Sequence, residues 1–350
     1  MYMIHPRGKI RGPDRPACHE GDMLRTDLSR DNSLVADVRQ ARLITPLWLA
    51  IPLGGGLLIV VTALLAPLAV PPLGRLLKAL SEPVYATYFS SIVTILAFAF
   101  TALVLFLWVR LVEGRPFHTI GFRIRGALLG IPLGLGLALL FTTLIMGGLS
   151  AFGMATPRPP GNDPIGMAAM QGIVVAAVMF GVQASTEEML YRGWMQNVIA
   201  VRQGAFLAIL IVTVAFTWAH SRNPGFSLLP GVNLVLFAVF LSLLTLRTGG
   251  LWAGCAWHAG WNWSLSNLWG VPLSGIEPEG GSAMAWHLSG PAVLTGGAWG
   301  PEGGLLATAV LAGATVWVAL WRGLGARIPA PAPAMTPEAR LAAYRATHRR

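Results

Sequence analysis

Glu187, Glu188 and Arg192 stand together in STEEMLYRGW, residues 185–194, directly after the uncharged run GIVVAAVMFGVQAS. Ionisable groups in or beside an apolar helix are expensive, and by default they mark function. On a helix Glu188 and Arg192 share a face and can pair, which offsets part of the cost of desolvating both charges. Glu187 lies about 100° around the helix, outside that pair. One carboxylate is thus held by an arginine, and its neighbour is free to draw a proton from water as a general base. The plainer reading is a polar helix end with both glutamates in headgroups or water.

Two further stretches carry polar outliers. FTWAH closes the apolar run AFLAILIVTVAFTWAH and sets Phe216 and His220 on one helix face. WHAGWNW places His258 and Asn262 one turn apart within an apolar stretch. A histidine can carry a proton or hold a divalent ion such as zinc through its imidazole. His and Asn can also donate to the oxyanion that forms when water attacks a carbonyl. One unpaired Glu, two His and one Asn would together suit hydrolysis of a peptide bond in or beside a membrane. Ser185 and Thr186 lie close to Glu187, but nothing positions a base on them as a serine protease requires. Zinc would take three protein ligands and leave one position open, with Glu187, His220 and His258 as the available set. No H-E-x-x-H pair is present to preform such a site. For each polar residue the alternative is hydrogen bonding between helices.

These side chains need helices to hold them. The chain is 54% hydrophobic and 11% charged, against about 25% charged in a soluble domain. Several stretches approach the roughly 20 apolar residues that cross a bilayer, and none alternates as barrel strands do. The expected fold class is all-α, a polytopic transmembrane helical bundle of about eight spans. They fall near 46–70, 89–109, 126–150, 167–190, 204–220, 231–246, 250–269 and 304–321. Pro52 and Pro67 break the first, and the third contains Pro132. Residues 1–44 read as a polar, disordered tail without the layout of a cleaved signal peptide. Residues 45–322 form the transmembrane catalytic bundle, and 323–350 a Pro/Ala linker with a basic tail.

Formal net charge is +10, but in a membrane protein Lys and Arg collect at cytoplasmic ends for topological reasons. No basic patch pairs with stacking aromatics, so nucleic acid is excluded as a partner. Arg39, Arg42, Arg110, Arg115, Arg123, Arg125, Arg202, Arg247, Arg322 and Arg327 fall on one side of the spans, and Arg75, Lys78, Arg158 and Arg222 on the other. That bias predicts an even number of spans with both termini cytoplasmic. Cys18 and Cys255 have no nearby partner, so neither a disulfide nor a thiolate metal site is expected. The connection 270–303 holds Glu277, Glu279 and Glu302 but no Lys or Arg. It reads as an ordered external cap or as a linker.

The order E-E-x-x-x-R, F-x-x-x-H and H-x-x-x-N on successive spans resembles the CAAX-processing and bacteriocin-processing (CPBP, Abi) family of intramembrane endoproteases. EGRPFHTIGF, residues 113–122, is similar to the short basic segment that precedes the third span in bacterial members. The likeness covers about 90–320. It implies that Glu187 activates the water, with Glu188 and Arg192 in support and Phe216 beside His220. His220 would help bind the water or a metal, and His258 with Asn262 would polarise the scissile carbonyl. It further implies a bacterial inner-membrane enzyme, a membrane-associated or lipid-modified peptide as substrate, and the bilayer as its setting. Two other classes stay open, a non-catalytic scaffold or immunity protein that keeps the motif, and a proton-coupled transporter. The second would show paired repeats with matching broken helices, and EExxxR and HxxxN have no second copy.

Overall fold

A computed structural model describes residues 32–158 and 164–321. The expectations for 1–31 and 322–350 lie outside the described residues. The long helices are α2 (Leu47–Leu80), α3 (Glu82–Leu107), α4 (Ile124–Ala151) and α5 (Met170–Glu188). They are followed by α6 (Gln196–Gln203), α7 (Ala205–His220), α8 (Leu228–Thr248), α9 (Trp252–Trp263) and α10 (Leu305–Leu320). Each of the expected spans coincides with a helix. Thr87–Val112, Phe117–Ala151, Gly166–Gln203 and Leu228–Thr248 are long and apolar enough to cross a membrane. Leu47–Leu57, Ala205–His220 and Leu305–Leu320 are shorter apolar helices. The chain is an integral membrane helical bundle.

Two expectations need correction. α2 runs through positions 52 and 67 without the expected break, because membrane helices re-satisfy the backbone groups that proline frees. The disordered tail also does not extend to residue 44. A first helix, α1 (Ser33–Val38), buries Leu34, Val35 and Val38 completely. Asn32 caps this segment. Its Oδ1 accepts from the Leu34 amide at 3.0 Å, an N-terminal cap, and its Nδ2 donates to the Leu246 carbonyl at 3.0 Å. One side chain therefore starts α1 and ties it to the end of α8.

α9 carries His258 and Asn262, and its most extensive packing is against α4. Gly130 and Gly134 make that packing possible. A Cβ on Gly134 would stand 2.3 Å from the Ala253 carbonyl oxygen, and one on Gly130 would stand 2.9 Å from Trp252 Cβ. Small residues one turn apart let two membrane helices approach this closely. α9 also packs on α5, which carries the glutamates.

The connection 270–303 is ordered. Its strand β2 (Trp286–Leu288) pairs antiparallel with β1 (Ala155–Pro157), Thr156 facing His287. The same connection settles on the start of α5, where a Cβ on Gly172 would lie 1.9 Å from the Gly280 carbonyl oxygen.

A buried ionic clasp anchors the start of α4. Glu113 and Arg115 are both completely buried and pair at 2.7 Å. Glu113 Oε1 also accepts from the Thr45 hydroxyl at 2.7 Å and the Trp194 indole at 2.9 Å, while Arg115 donates to Thr119 at 2.9 Å. Thr45 and Trp194 come from distant parts of the chain, so the EGR segment joins the turn after Glu188 to the head of α2.

Candidate active site

α5 does not stop at Glu188. It opens into a wide π-type turn over Met189–Met195 and resumes as α6. Such wide turns recur at functional sites, and this one holds Arg192 beside the glutamates. Glu188 and Arg192 are completely buried, and Arg192 donates to Glu188 Oε1 at 2.9 Å. The predicted pair is formed. Arg192 also reaches the Ala238 carbonyl at 3.4 Å and lies 4.5 Å from the Phe216 ring centroid. The stacked ring adds a cation–π attraction.

His258 joins the two glutamates. Its Nδ1 donates to Glu188 Oε1 at 2.8 Å, and its Nε2 stands 3.9 Å from Glu187 Oε2. Because an ionised carboxylate only accepts, Glu188 fixes the proton on Nδ1 and turns Nε2 towards Glu187. A second atom bound to one imidazole nitrogen sets what the other can do. Glu187 is 5% exposed, takes a 3.5 Å contact from Gln183 Nε2 on Oε1, and has no hydrogen-bond partner on Oε2 among the described residues. It is the carboxylate left over, as the spacing predicts.

His220 Nδ1 donates to the Phe216 carbonyl at 2.9 Å, which leaves its Nε2 as an acceptor. Phe216 lies 4.5 Å from the His220 ring and 6.1 Å from the His258 ring, centroid to centroid. Phe237 packs edge-on against His258 at 5.0 Å. The aromatic rings thus fill the space between the two imidazoles and hold both in place.

A cavity of about 360 Å³ borders this set, and Phe216, His220, His258 and Asn262 all line it. Gln183, which contacts Glu187, also lines it, whereas Glu187 itself does not. The structure therefore brings Glu187, Glu188, Arg192 and His258 into one contact network, with Phe216 and His220 joined to it through the rings. Asn262, 7% exposed, faces the same cavity one turn beyond His258.

The zinc set is not assembled. Among the described residues no three His, Cys, Asp or Glu side chains converge to hold a metal ion. The Nδ1 hydrogen bonds of His258 and His220 leave both Nε2 atoms free, as metal-binding imidazoles require, but His258 Nε2 stays 3.9 Å from Glu187 Oε2 and no third ligand closes on them among the described residues.

Three residues were not anticipated. Gln183 is one turn before Glu187, and a polar pair at that spacing in an apolar helix was a legible signal. Glu302 comes from the 270–303 connection, where it accepts from the Trp261 indole at 2.8 Å and borders the cavity. Asn267 borders it as well. The contacts of these last two depend on how the connection folds back, which no local spacing reveals.

No curated protein and no solved structure matches the chain. Residues 169–264 match a family model described as type II CAAX prenyl endopeptidase Rce1-like. That span is narrower than the 90–320 over which the motifs resemble the family, yet it contains E-E-x-x-x-R, F-x-x-x-H and H-x-x-x-N in full. At family level the motif-bearing core of this chain, residues 169–264, is thus similar to type II CAAX prenyl endopeptidases of the Rce1-like kind.

Proposed function

We propose that the chain is an intramembrane endopeptidase that cleaves a membrane-associated or lipid-modified peptide, with Glu187 as the base that activates water. The observation that carries this reading is the pairing of an unpartnered Glu187 Oε2 with a His258 Nε2 only 3.9 Å away. A water about 2.8 Å from both atoms would bridge them and lie beside the cavity. Glu187 takes one proton as the water oxygen bonds to the scissile carbonyl carbon. Asn262 Nδ2 faces the oxygen on which negative charge develops, where a fixed donor in a dry site is most effective, while the unprotonated His258 Nε2 accepts from the attacking water. The C–N bond then breaks, and the proton held by Glu187 passes to the leaving amine.

Glu188 and Arg192 act through His258. With both carboxylates ionised and Arg192 charged, the buried set carries one negative charge, and the proton taken from water neutralises it during the reaction. His220, with Nε2 free to accept, serves as a second contact for water or for the departing amine. Its setting in this reading is a bacterial inner membrane, and the Lys and Arg distribution supports both termini on the cytoplasmic side.

Purified protein in lipid vesicles, given a lipid-modified or transmembrane peptide, tests the reading by mass spectrometry of the products. Glu187→Gln is expected to lower the cleavage rate by about 10²–10⁴-fold, the usual worth of a general base, with the thermal unfolding midpoint unchanged. A Glu187→Gln variant that cuts as fast as the parent removes the mechanism.

A further inference from the structure

Three of the side chains around the cavity are carboxylates, Glu277, Glu279 and Glu302, and none of the residues lining it is a lysine or arginine. Glu277 and Glu279 are exposed, whereas Glu302 is buried. Glu302 Oε1 accepts from the Ser274 amide at 2.9 Å and the Ser274 hydroxyl at 2.6 Å, and Oε2 accepts from the Trp261 indole at 2.8 Å. These donors are all neutral, so they solvate the carboxylate without cancelling its charge. Arg222, two residues past His220, is exposed and does not line the cavity.

Asn267 adds an independent signal. Its Nδ2 donates to the Glu279 carbonyl at 3.2 Å and the Gly281 carbonyl at 2.9 Å. Two carbonyl acceptors fix which end of the amide is nitrogen. The Oδ1 that remains has no hydrogen-bond partner among the described residues, although Asn267 is 1% exposed and lines the cavity. A buried acceptor without a donor is costly to keep, and here it belongs to a residue that borders the same cavity as Glu277, Glu279 and Glu302.

Resting on the endopeptidase reading above, we infer that this cavity selects peptides that present a positively charged nitrogen near the scissile bond, and that it disfavours a free carboxylate in the same place. Glu279 accepts from the Ser90 hydroxyl, again a neutral donor, so what the three carboxylates lack is a cation, which a lysine or arginine side chain or an N-terminal ammonium supplies. A peptide's own C-terminal carboxylate would meet like charges there and find no cation to pair with. Complementary charge of this kind acts mainly on specificity.

The test uses the full-length protein carrying Glu187→Gln, in phosphatidylcholine vesicles, so that binding is read without turnover. The probes share one apolar membrane segment and a blocked N- and C-terminus, and carry a single lysine, norleucine or glutamate beside the segment. Two more norleucine probes expose either a free N-terminal amine or a free C-terminal carboxylate. The lysine probe is expected to bind about fivefold more tightly than norleucine, since each partly exposed carboxylate pair is worth a factor of about two. Glutamate and the free carboxylate should bind least. The preference should shrink as ionic strength rises, because exposed charges are screened. A stronger gain from the free amine than from lysine would assign the cation to the peptide terminus, and the reverse would assign it to a side chain. Glu277→Gln with Glu279→Gln is expected to bring the lysine-to-norleucine ratio close to one. Equal affinity for all probes, or a preference that survives the double variant, overturns the inference. If the ranking holds but the parent protein cuts no probe, the endopeptidase reading fails while the selectivity stands.

Discussion

Glu188 serves two partners with one oxygen, Arg192 on its own helix and His258 from α9. Removing either charge strands the other in a site with no exposure, a change that costs about 3–5 kcal/mol for a buried pair. Glu188→Ala and Arg192→Ala are therefore expected to lower the unfolding midpoint sharply in a detergent melt and to abolish activity together. Glu187→Gln, by contrast, should lose activity alone, and that difference separates the positioning residues from the base. The Glu188–Arg192 pair was legible because four residues on a helix define a face. The His258–Glu188 bond was not, because its partners are separated by 70 positions and meet only through the packing of α5 on α9. Phe216 shows the same limit. Its position on the His220 face could be read from spacing, but its place over the Arg192 guanidinium could not.

At the scale of elements, the site depends on how closely α4 and α9 approach. Gly134→Val would drive a branched side chain into the Ala253 carbonyl, already 2.3 Å from an ideal Cβ. Overpacking of this kind costs about 1–3 kcal/mol, and because α9 must shift, cleavage should fall along with the melting temperature. Gly55 has nothing within 4 Å of an added Cβ, so Gly55→Ala provides the control that leaves both unchanged. Span positions were legible from apolar runs alone, and every expected run is a helix. Helix contacts were not, because these surfaces are apolar on every side and show no stripe that marks a partner. α1 was missed for a related reason. Six residues between polar neighbours give too little periodicity, and what holds them is the Asn32 bond to Leu246, far along the chain.

For the whole molecule, the outer surface and the interior follow opposite rules. Leu128, Phe206 and Trp48 stand largely exposed, while Glu113, Arg115, Glu188, Arg192 and Arg247 have no exposed surface at all. Water would drive such a surface to aggregate, and hydrocarbon would cover it. The protein is thus expected to stay in the membrane pellet after an alkaline carbonate wash and to leave it only with detergent, as measured by immunoblot of the fractions. The buried charges are also distributed rather than pooled. Arg247 donates to the Val318 carbonyl at 3.3 Å near the end of α10, while Glu113 and Arg115 secure the start of α4 and Glu188 and Arg192 the centre.

The wide turn over Met189–Met195 connects two of these centres. Just upstream of it Glu188 points at His258, and near its end Trp194 points its indole at Glu113. Each added or removed residue rotates everything beyond it by about 100° around the helix axis. Because one short segment carries both side chains, a residue inserted or deleted within it would swing Trp194 away from Glu113 while Glu188 kept its place beside His258, undoing the anchoring of α4 from a change made next to the buried glutamates.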